Sequence, residues 1–450
     1  MSEVRLLIVD PQGNGLDFAM RCMRDGHEVR LGIRLSEKTK NIGKGLVEVT
    51  YDYGKWVRWA DLIFMTDNTL YTADMDRLRA QGVKVIGATC ESAAWEIDRS
   101  KGMAVFKKAG IAVPNYKEFR NYDDAIAYVK KEDRRFVSKV IDGSHNDKAL
   151  SYCSKTPEDM IYMLQRWKKL QKLPGPFCLQ EFIGGVEMAV GAWFGPHGFS
   201  AGWCENWEFK KLMNDDMGVA TGEQGTIVRY VRSSKLARKV LQPLESALQE
   251  VGYVGYIDVN CIIDETGTPW PLEFTMRPGW PTFNIQMALH EGDHAQWLMD
   301  LWTGKDPRNW TMNEVAAGVV VSIPDYPYSH VTRKEVTGVP VYGVDPETWR
   351  HVHPCEMMMG MAPRKIQGKF VDVPMMVTAG DYVLVMSGTG PDVKSATDTV
   401  YRRLGKLQMP NSPMYRTDIG RRLRKQLPEL QAKGYASGME YSTPPQRLSA

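Results

Sequence analysis

The sequence predicts a multi-domain protein of mixed α/β and α+β class, and three observations carry that prediction. Strand-like and helix-like segments alternate through the first hundred residues, the mark of a parallel sheet covered on both faces. The middle of the chain mixes helices with paired strands and glycine-containing loops, and beyond about residue 314 the texture is strand-rich. A chain of 450 residues is long enough for three domains of about 150 residues each.

Composition narrows the class further. Hydrophobic residues make up 43% and charged residues 25%, which suits a packed chain rather than a disordered one. Lys and Arg total 57 against 54 Asp and Glu, and this near-balance argues against a nucleic-acid partner. The seven cysteines are scattered and include no C-x-x-C pair, which favours a reducing compartment and argues against structural zinc. No apolar run approaches the roughly 18 residues of a membrane helix, and the start MSEVRLLIVD carries no leader pattern, so a cytoplasmic protein without a membrane partner is expected. Thirteen Trp and twenty-five Met are many for this length, and composition does not say why.

The elements follow in order. VRLLIVD (4–10) reads as a buried strand broken by PQGNG, and LDFAMRCMRDG follows at helical spacing with a closing glycine. HEVRLGI, DLIFMTD and VKVIGAT are further strands. From residue 98, DRSKGMAVFKKAG reads as a helix, RRFVSKVI as a strand, DGSHNDKAL as a polar loop, PEDMIYMLQRWKKLQKL as a helix and FCLQEFI as a strand. A strand pair near 187–205 precedes a loop expected over 214–226. The helix SKLARKVLQPLESALQEVG then leads to the strands YIDVNCIID and WPLEFTM, joined by ETGT. VAAGVVVSIP, VPMMVTAG and DYVLVMSG are later strands, VKSATDTVYRRLGKL is a helix, and the last residues read as a flexible tail.

Three constellations could carry chemistry. In YIDVNCIID…WPLEFTMRPG, two antiparallel strands bring Asp258, Glu273 and Thr275 together, and period-2 alternation puts Glu273, Thr275 and Arg277 on one face. Hard oxygens on rigid strands suit Mg²⁺ that also carries nucleotide phosphates, and the arginine could clamp a phosphoryl oxygen. The bland alternative is a solvated hairpin face. Lys101, Lys139 and Lys148 surround a glycine-containing loop that could cradle a triphosphate, although taken singly each is more simply a solvated lysine. In FCLQEFIGGVEM, Gln180, Glu181, Phe182 and Ile183 offer a strand end and apolar surface to an adenine, and Glu187 could take ribose hydroxyls; an ordinary hairpin is the alternative.

Other patterns are weaker. His290-Glu-Gly-Asp-His294 satisfies H-E-x-x-H, but Gly and Asp make a poor helix interior, so a polar cluster at a helix start is preferred over a metallohydrolase centre. His351 and His353 read as surface histidines. The turn Gly13-Asn14-Gly15 lacks the third glycine of a dinucleotide fingerprint. The basic run 421–425 reads as a solvated helix face.

Taken in order, these motifs resemble an ATP-grasp ligase of the phosphoribosylamine–glycine ligase family, over nearly the whole chain to about residue 425. DRSKGMAVFKKAGIAVP with Lys101, RRFVSKV with Lys139, LQEFIGGVEM with Glu187 and PLEFTMRPG with Glu273 and Arg277 carry the nucleotide half. EFKKLMNDDMGVATGEQG resembles the family's substrate-loop motif and retains Lys210, Asp216, Gly218, Thr221 and Gly222. The resemblance implies an ATP-grasp architecture: an N-terminal parallel-sheet domain (1–98), an ATP-grasp domain (99–313) with a lid over about 140–190, a C-terminal mixed β domain (314–432), and a flexible tail (433–450).

It also implies roles. ATP and Mg²⁺ (or Mn²⁺) would serve as cofactors, with Lys101, Lys139, Lys148, Gln180, Glu181, Phe182, Ile183 and Glu187 on the nucleotide. Asp258, Glu273 and Thr275 would hold the metal. Arg277, Lys210 and Asp216 would act in catalysis, and Gly15, Asp17, Gly218, Thr221 and Gly222 would meet substrate. The partners implied are a small carboxylate, glycine by default, and an amine, with the chain a monomer or homodimer. The departures concentrate on the amine side. The family's asparagine after the metal glutamate is Thr275, its glycine-rich turn G-G-R-E-H-A is Asn14 to Ala19, and its Gly-Met is Glu223-Gln224. The default amine is 5-phosphoribosylamine; the departures open the alternative of another amine, in nucleotide or DNA modification, Thr275 that of a nucleotide-binding protein without ligase turnover, and Trp280 suggests a more apolar acceptor pocket.

Overall fold

The computed structural model describes residues 3–141, 151–172, 175–305, 311–328, 334–344, 349–410 and 412–443. The chain opens with five strands: β1 (Arg5–Val9), β2 (Glu28–Gly32), β3 (Glu48–Thr50), β4 (Leu62–Met65) and β5 (Val85–Ile86). They form one parallel sheet in the order β3-β2-β1-β4-β5, as the alternating pattern predicts, with the short β3 unanticipated. Helices α1 (Leu16–Arg24), α2 (Thr72–Ala80) and α3 (Cys90–Ile97) accompany it. Asp98 ends α3 and caps α4 (Arg99–Lys108), accepting the N–H of Lys101.

Strands β6 (Tyr116–Phe119), β7 (Phe136–Val140), β8 (Tyr152–Cys153) and β9 (Phe177–Glu181) form a second sheet in the order β6-β9-β7-β8. Helices α5 (Tyr122–Glu132) and α6 (Pro157–Lys169) cover it, and Phe119, Tyr122, Phe136, Leu164, Trp167 and Phe177 belong to a core separate from the main one. The start of α6 follows from its sequence. Thr156 caps it, Pro157 sits where a missing N–H costs nothing, and acids in the first turn face bases in the last. Among the described residues β6 and α5 share the core of this small sheet, and Glu187, inside the span of 140–190 expected for a lid, belongs to the next sheet.

The largest sheet has nine strands: β10 (Val186–Gly195), β11 (Gly198–Phe199), β12 (Trp203–Lys211), β13 (Ala220–Val231), β14 (Gly255–Ile263), β15 (Pro269–Thr275), β16 (Val315–Ser322), β17 (Val352–Pro354) and β20 (Tyr382–Gly390). A separate antiparallel ribbon joins β18 (Met357–Ile366) to β19 (Lys369–Thr378). Two expectations are corrected here. The loop expected over 214–226 is largely β13, whose pairing with β12 and β16 supplies the backbone bonds that its Gly and Thr residues do not discourage. Residue 313 also separates no sheets, since β16 pairs β13 and continues the central sheet into the C-terminal segment.

Helices α7 (Lys235–Val240) and α8 (Glu245–Glu250) replace the one helix expected, with Pro243 in the turn between them. Helices α9 (Thr282–Leu289), α10 (His294–Thr303), α11 (Val393–Leu404) and α12 (Leu423–Ala432) complete the chain. The tail is docked as far as it is described. Tyr435 and Met439 are buried, Tyr435 donates its hydroxyl to Gly267 O at 2.7 Å, and the N–H groups of Val393 and Lys394 bond Glu440 and Tyr441. Residues 444–450 lie outside the described residues.

Part of the tryptophan surplus is core. Trp193 packs edge-on against Trp297 at 4.5 Å and lies 6.2 Å from Phe64, tying the nine-stranded sheet to the parallel one. All seven cysteines are free, five of them buried. Among the described residues no helix is long and apolar enough to cross a membrane.

Candidate functional site

The site is built on adjacent strands of the nine-stranded sheet. On β12 alternation puts Glu208 and Lys210 on one face, and on β10 it aims Glu187 towards them. Lys210 Nζ lies 3.0 Å from Glu187, 3.1 Å from Glu208 and 3.7 Å from Glu273. Burial alone would depress this ammonium, but Glu187, Glu208 and Glu273 outweigh it and hold it well above its ordinary range. Burial likewise works to raise Glu187, and Lys210 and Arg422 outweigh it, leaving that carboxyl below its usual value.

Across the β14–β15 ladder Asp258 stands opposite Thr275, and Asn260 opposite Glu273. Asp258 is buried, and its Oδ2 accepts from Asn206 at 2.7 Å and Tyr256 at 3.2 Å. Burial, then the neighbouring Glu208, pushes its pKa up to about 7. Gly191 faces Asp258 on β10, where any Cβ would collide with Tyr256 and Asp258, so this glycine makes the arrangement possible. Glu223 on β13 is buried too, accepts from Thr282 at 3.2 Å, and is pushed well above its ordinary range by burial and then by Glu208.

Cations approach from the other side. Arg99 donates to Leu272 O at 2.8 Å and lies 3.8 Å from Glu273. Lys139 on β7 is partly buried, and burial, then Arg99, pushes its pKa down to about 7. Arg277 pairs with Glu96 at 3.1 Å. Glu96 also accepts from Asn68 at 2.7 Å and from Met276 N at 2.6 Å, so it joins the carboxyl edge of the parallel sheet to the end of β15.

The expected residues thus divide. Glu187, Lys210 and Glu273 meet directly, Asp258 and Thr275 face each other beside them, and Lys139 is within electrostatic reach. Lys101 is exposed in the first turn of α4, and Lys148 lies outside the described residues. Gln180 is buried, Glu181 pairs with Arg134 at 3.3 Å, and the Arg135 guanidinium stacks over Phe182 at 3.5 Å; Ile183 is partly buried beside them.

Asp17, expected to meet substrate, has buried partners of its own. It is buried and bound to Arg21 at 2.9 Å and His353 at 2.8 Å; burial works to raise its carboxyl, and these two partners hold it well below the usual range. It therefore fastens α1 to β17, and His353, expected at the surface, is buried with it. Gly15 begins α1 behind the Asp10 carboxylate, which accepts its N–H. Asp216 pairs outward with Arg416 at 2.9 Å and Arg422 at 3.4 Å, Gly218 turns the chain at φ +78°, and Gly222 is exposed. Thr221 bonds Lys210 O at 2.8 Å. Trp280 packs edge-on against Phe283 at 5.5 Å.

His290 closes α9 and His294 opens α10, so the two histidines do not share a helix, and His294 pairs with Asp25 at 2.6 Å. Among the described residues no three His, Cys, Asp or Glu side chains form a metal cluster.

Sequence reading missed Arg99, Glu208, Glu223 and Asn260. For Glu208 and Asn260 a signal existed: each is two residues along a strand from a residue already chosen, Lys210 and Asp258, and so shares its face. Asn260 bears on the metal. It donates Nδ2 to Glu187 at 2.8 Å and Glu208 at 3.1 Å, and its Oδ1 is left buried without a hydrogen-bond partner. An orphaned amide oxygen among carboxylates, opposite Glu273, fits a hard cation that also takes phosphate oxygens.

Comparison with known proteins agrees with this architecture. No family model matches the chain. Phosphoribosylamine–glycine ligase of Ralstonia nicotianae is 26% identical over 360 residues, covering 77% of this chain and 81% of that protein. The enzyme of the same name from Streptococcus pneumoniae is 24% identical over 430 residues, 93% of each. Among solved structures, phosphoribosylamine–glycine ligase of Thermotoga maritima superposes with a TM-score of 0.70 at 18% identity, covering 92% of this chain and all of that one. An L-amino acid ligase from Bacillus licheniformis gives 0.57 at 13% identity, covering 92% and 100%. The chain has the ATP-grasp fold and is a distant relative of phosphoribosylamine–glycine ligase.

Proposed function

We propose that the chain is an ATP-dependent carboxylate–amine ligase that forms an amide through an acyl phosphate. The observation that carries this reading is the convergence of Lys210 with Glu187, Glu208 and Glu273 from three strands, with Arg99 and Lys139 beside them, on an ATP-grasp fold. Such a set matches a site that balances the charge of a nucleotide triphosphate.

In the first step a carboxylate oxygen attacks the γ-phosphorus of ATP, and the bond to the departing ADP breaks. Lys139, Arg99 and Arg277 bind phosphate oxygens, and Glu187 takes the ribose. Mg²⁺ would be held by Glu273 and Asp258, with Thr275 and the orphaned Asn260 Oδ1 adjacent, and when bound supplies charge neutralisation for the phosphates. In the second step the amine nitrogen attacks the acyl carbon, phosphate leaves, and the nitrogen loses a proton. The 116–181 unit excludes water from the acyl phosphate.

Glycine is the default carboxylate and 5-phosphoribosylamine the default amine, taken from the names of the relatives. The commitment of Asp17 to His353 favours a different amine. Thr275, a poorer metal ligand than an amide, motivates the second reading, a nucleotide-binding protein without turnover. Release of ADP with Mg²⁺ across a panel of amino acids and amines separates the readings. Turnover that depends on one carboxylate–amine pair supports the ligase, and no ADP release with any pair overturns it.

A further inference from the structure

The turn between β1 and α1 has the form of an anion site. A glycine-bearing turn at the carboxyl edge of a parallel sheet aims backbone N–H groups, with the start of a helix behind them, at whatever docks there. Here the chain supplies the anion itself. Asp10, 1% exposed, accepts the N–H of Gln12 at 3.1 Å and of Gly13 at 2.9 Å on Oδ1, and that of Gly15 on Oδ2. Gly15, at the start of α1, offers the helix no side-chain cap, and its own N–H goes to Asp10.

The neighbouring strand end adds acceptors rather than cations. After β4, Asp67 accepts the N–H groups of Thr69 and Leu70 at 2.8 and 2.7 Å. Thr66 and Asn68 are almost fully buried, and Thr66 Oγ1 and Asn68 Oδ1 have no hydrogen-bond partner. Through Glu96, bonded to Asn68 and paired with Arg277, this edge adjoins the candidate site.

We infer that the acceptor amine entering over this edge presents no phosphate to the β1–α1 turn, whose donors Asp10 already holds. A phosphate would find three donors already taken and would face a buried carboxylate, which in a low-dielectric setting repels it strongly. This deepens the ligase reading and rests on it for the identity of the ligand as acceptor.

The test titrates inorganic phosphate into the full chain saturated with ADP, following the backbone amide resonances of Gly13 and Gly15. Wild type, Asp10→Gly and Asp10→Asn are compared. In the wild type these resonances should stay in place through millimolar phosphate. Asp10→Gly should show saturable shifts with at least roughly tenfold tighter phosphate binding. Asp10→Asn keeps an acceptor oxygen but removes the charge, and should move the same way by a smaller factor if the glycine variant fails to fold. Saturable shifts in the wild type at the concentrations that move the variants overturn the inference, and so do folded variants that gain no phosphate binding. The ligase reading fails separately, on absent ADP release with every carboxylate–amine pair, whatever the phosphate titration shows.

Discussion

Asp17 Oδ2 and His353 Nδ1 lie 2.8 Å apart across 336 residues of sequence, and both side chains are buried. The contact joins α1 to β17, the strand just before the ribbon, and Arg21 completes the network at 2.9 Å from Asp17. Removing the carboxylate leaves the buried Arg21 guanidinium without a counter-charge, with only Arg350 O and His353 beside it. Asp17→Ala should therefore destabilise the protein by about 3 kcal/mol, read as a lower denaturation midpoint, while KM for both substrates below the melting range stays within a factor of about two. A large rise in KM with unchanged stability would restore Asp17 to substrate binding.

Lys210 pairs with both Glu187 and Glu208. Lys210→Met leaves these carboxylates repelling one another beside the bound triphosphate. ADP release should fall by at least about a hundredfold, roughly 2.7 kcal/mol at the transition state, and Lys210→Arg should recover part of it. Steady-state turnover of the three proteins at saturating ATP checks this.

Glu273 is the half-exposed carboxylate opposite Asn260, and we propose that it holds the metal. Glu273→Gln should abolish turnover and weaken Mg²⁺ binding measured directly in the presence of an ATP analogue. Full activity in this variant would remove Glu273 from the metal site.

Asp258 is held protonated to about pH 7 by burial, with Glu208 adding to the effect, whereas in an unfolded chain it ionises near its ordinary value. Its folded-state pKa is raised, so the favourable contribution is present below about pH 4 and is lost as pH rises through about 7. Asp258→Asn should accordingly flatten the decline in melting temperature between pH 5 and pH 8, by a few degrees in metal-free buffer. An unchanged pH dependence in the variant would show that Asp258 does not titrate in this range.

How much of this was legible beforehand follows from range. The parallel character of the first sheet rests on the alternation of strand and helix segments, and the α6 cap at Thr156 and the β14–β15 hairpin rest on contacts between near neighbours in sequence. Strand alternation alone put Glu273, Thr275 and Arg277 on one face, and it could have added Glu208 and Asn260. The ordered motifs also pointed to ATP-grasp architecture, which the structural relatives share.

The sequence by itself determined the fold class, the hairpin and the residue types available for nucleotide chemistry, because local pattern encodes which face of an element is buried. Only the tertiary structure decided which charges meet. It paired Asp17 with His353, gave Asp10 the donors of the β1–α1 turn, gathered three carboxylates on Lys210, extended the central sheet through β16, and docked the tail to residue 443. Those pairings join residues tens to hundreds of positions apart. Their energies depend on burial and distance, which no local pattern carries.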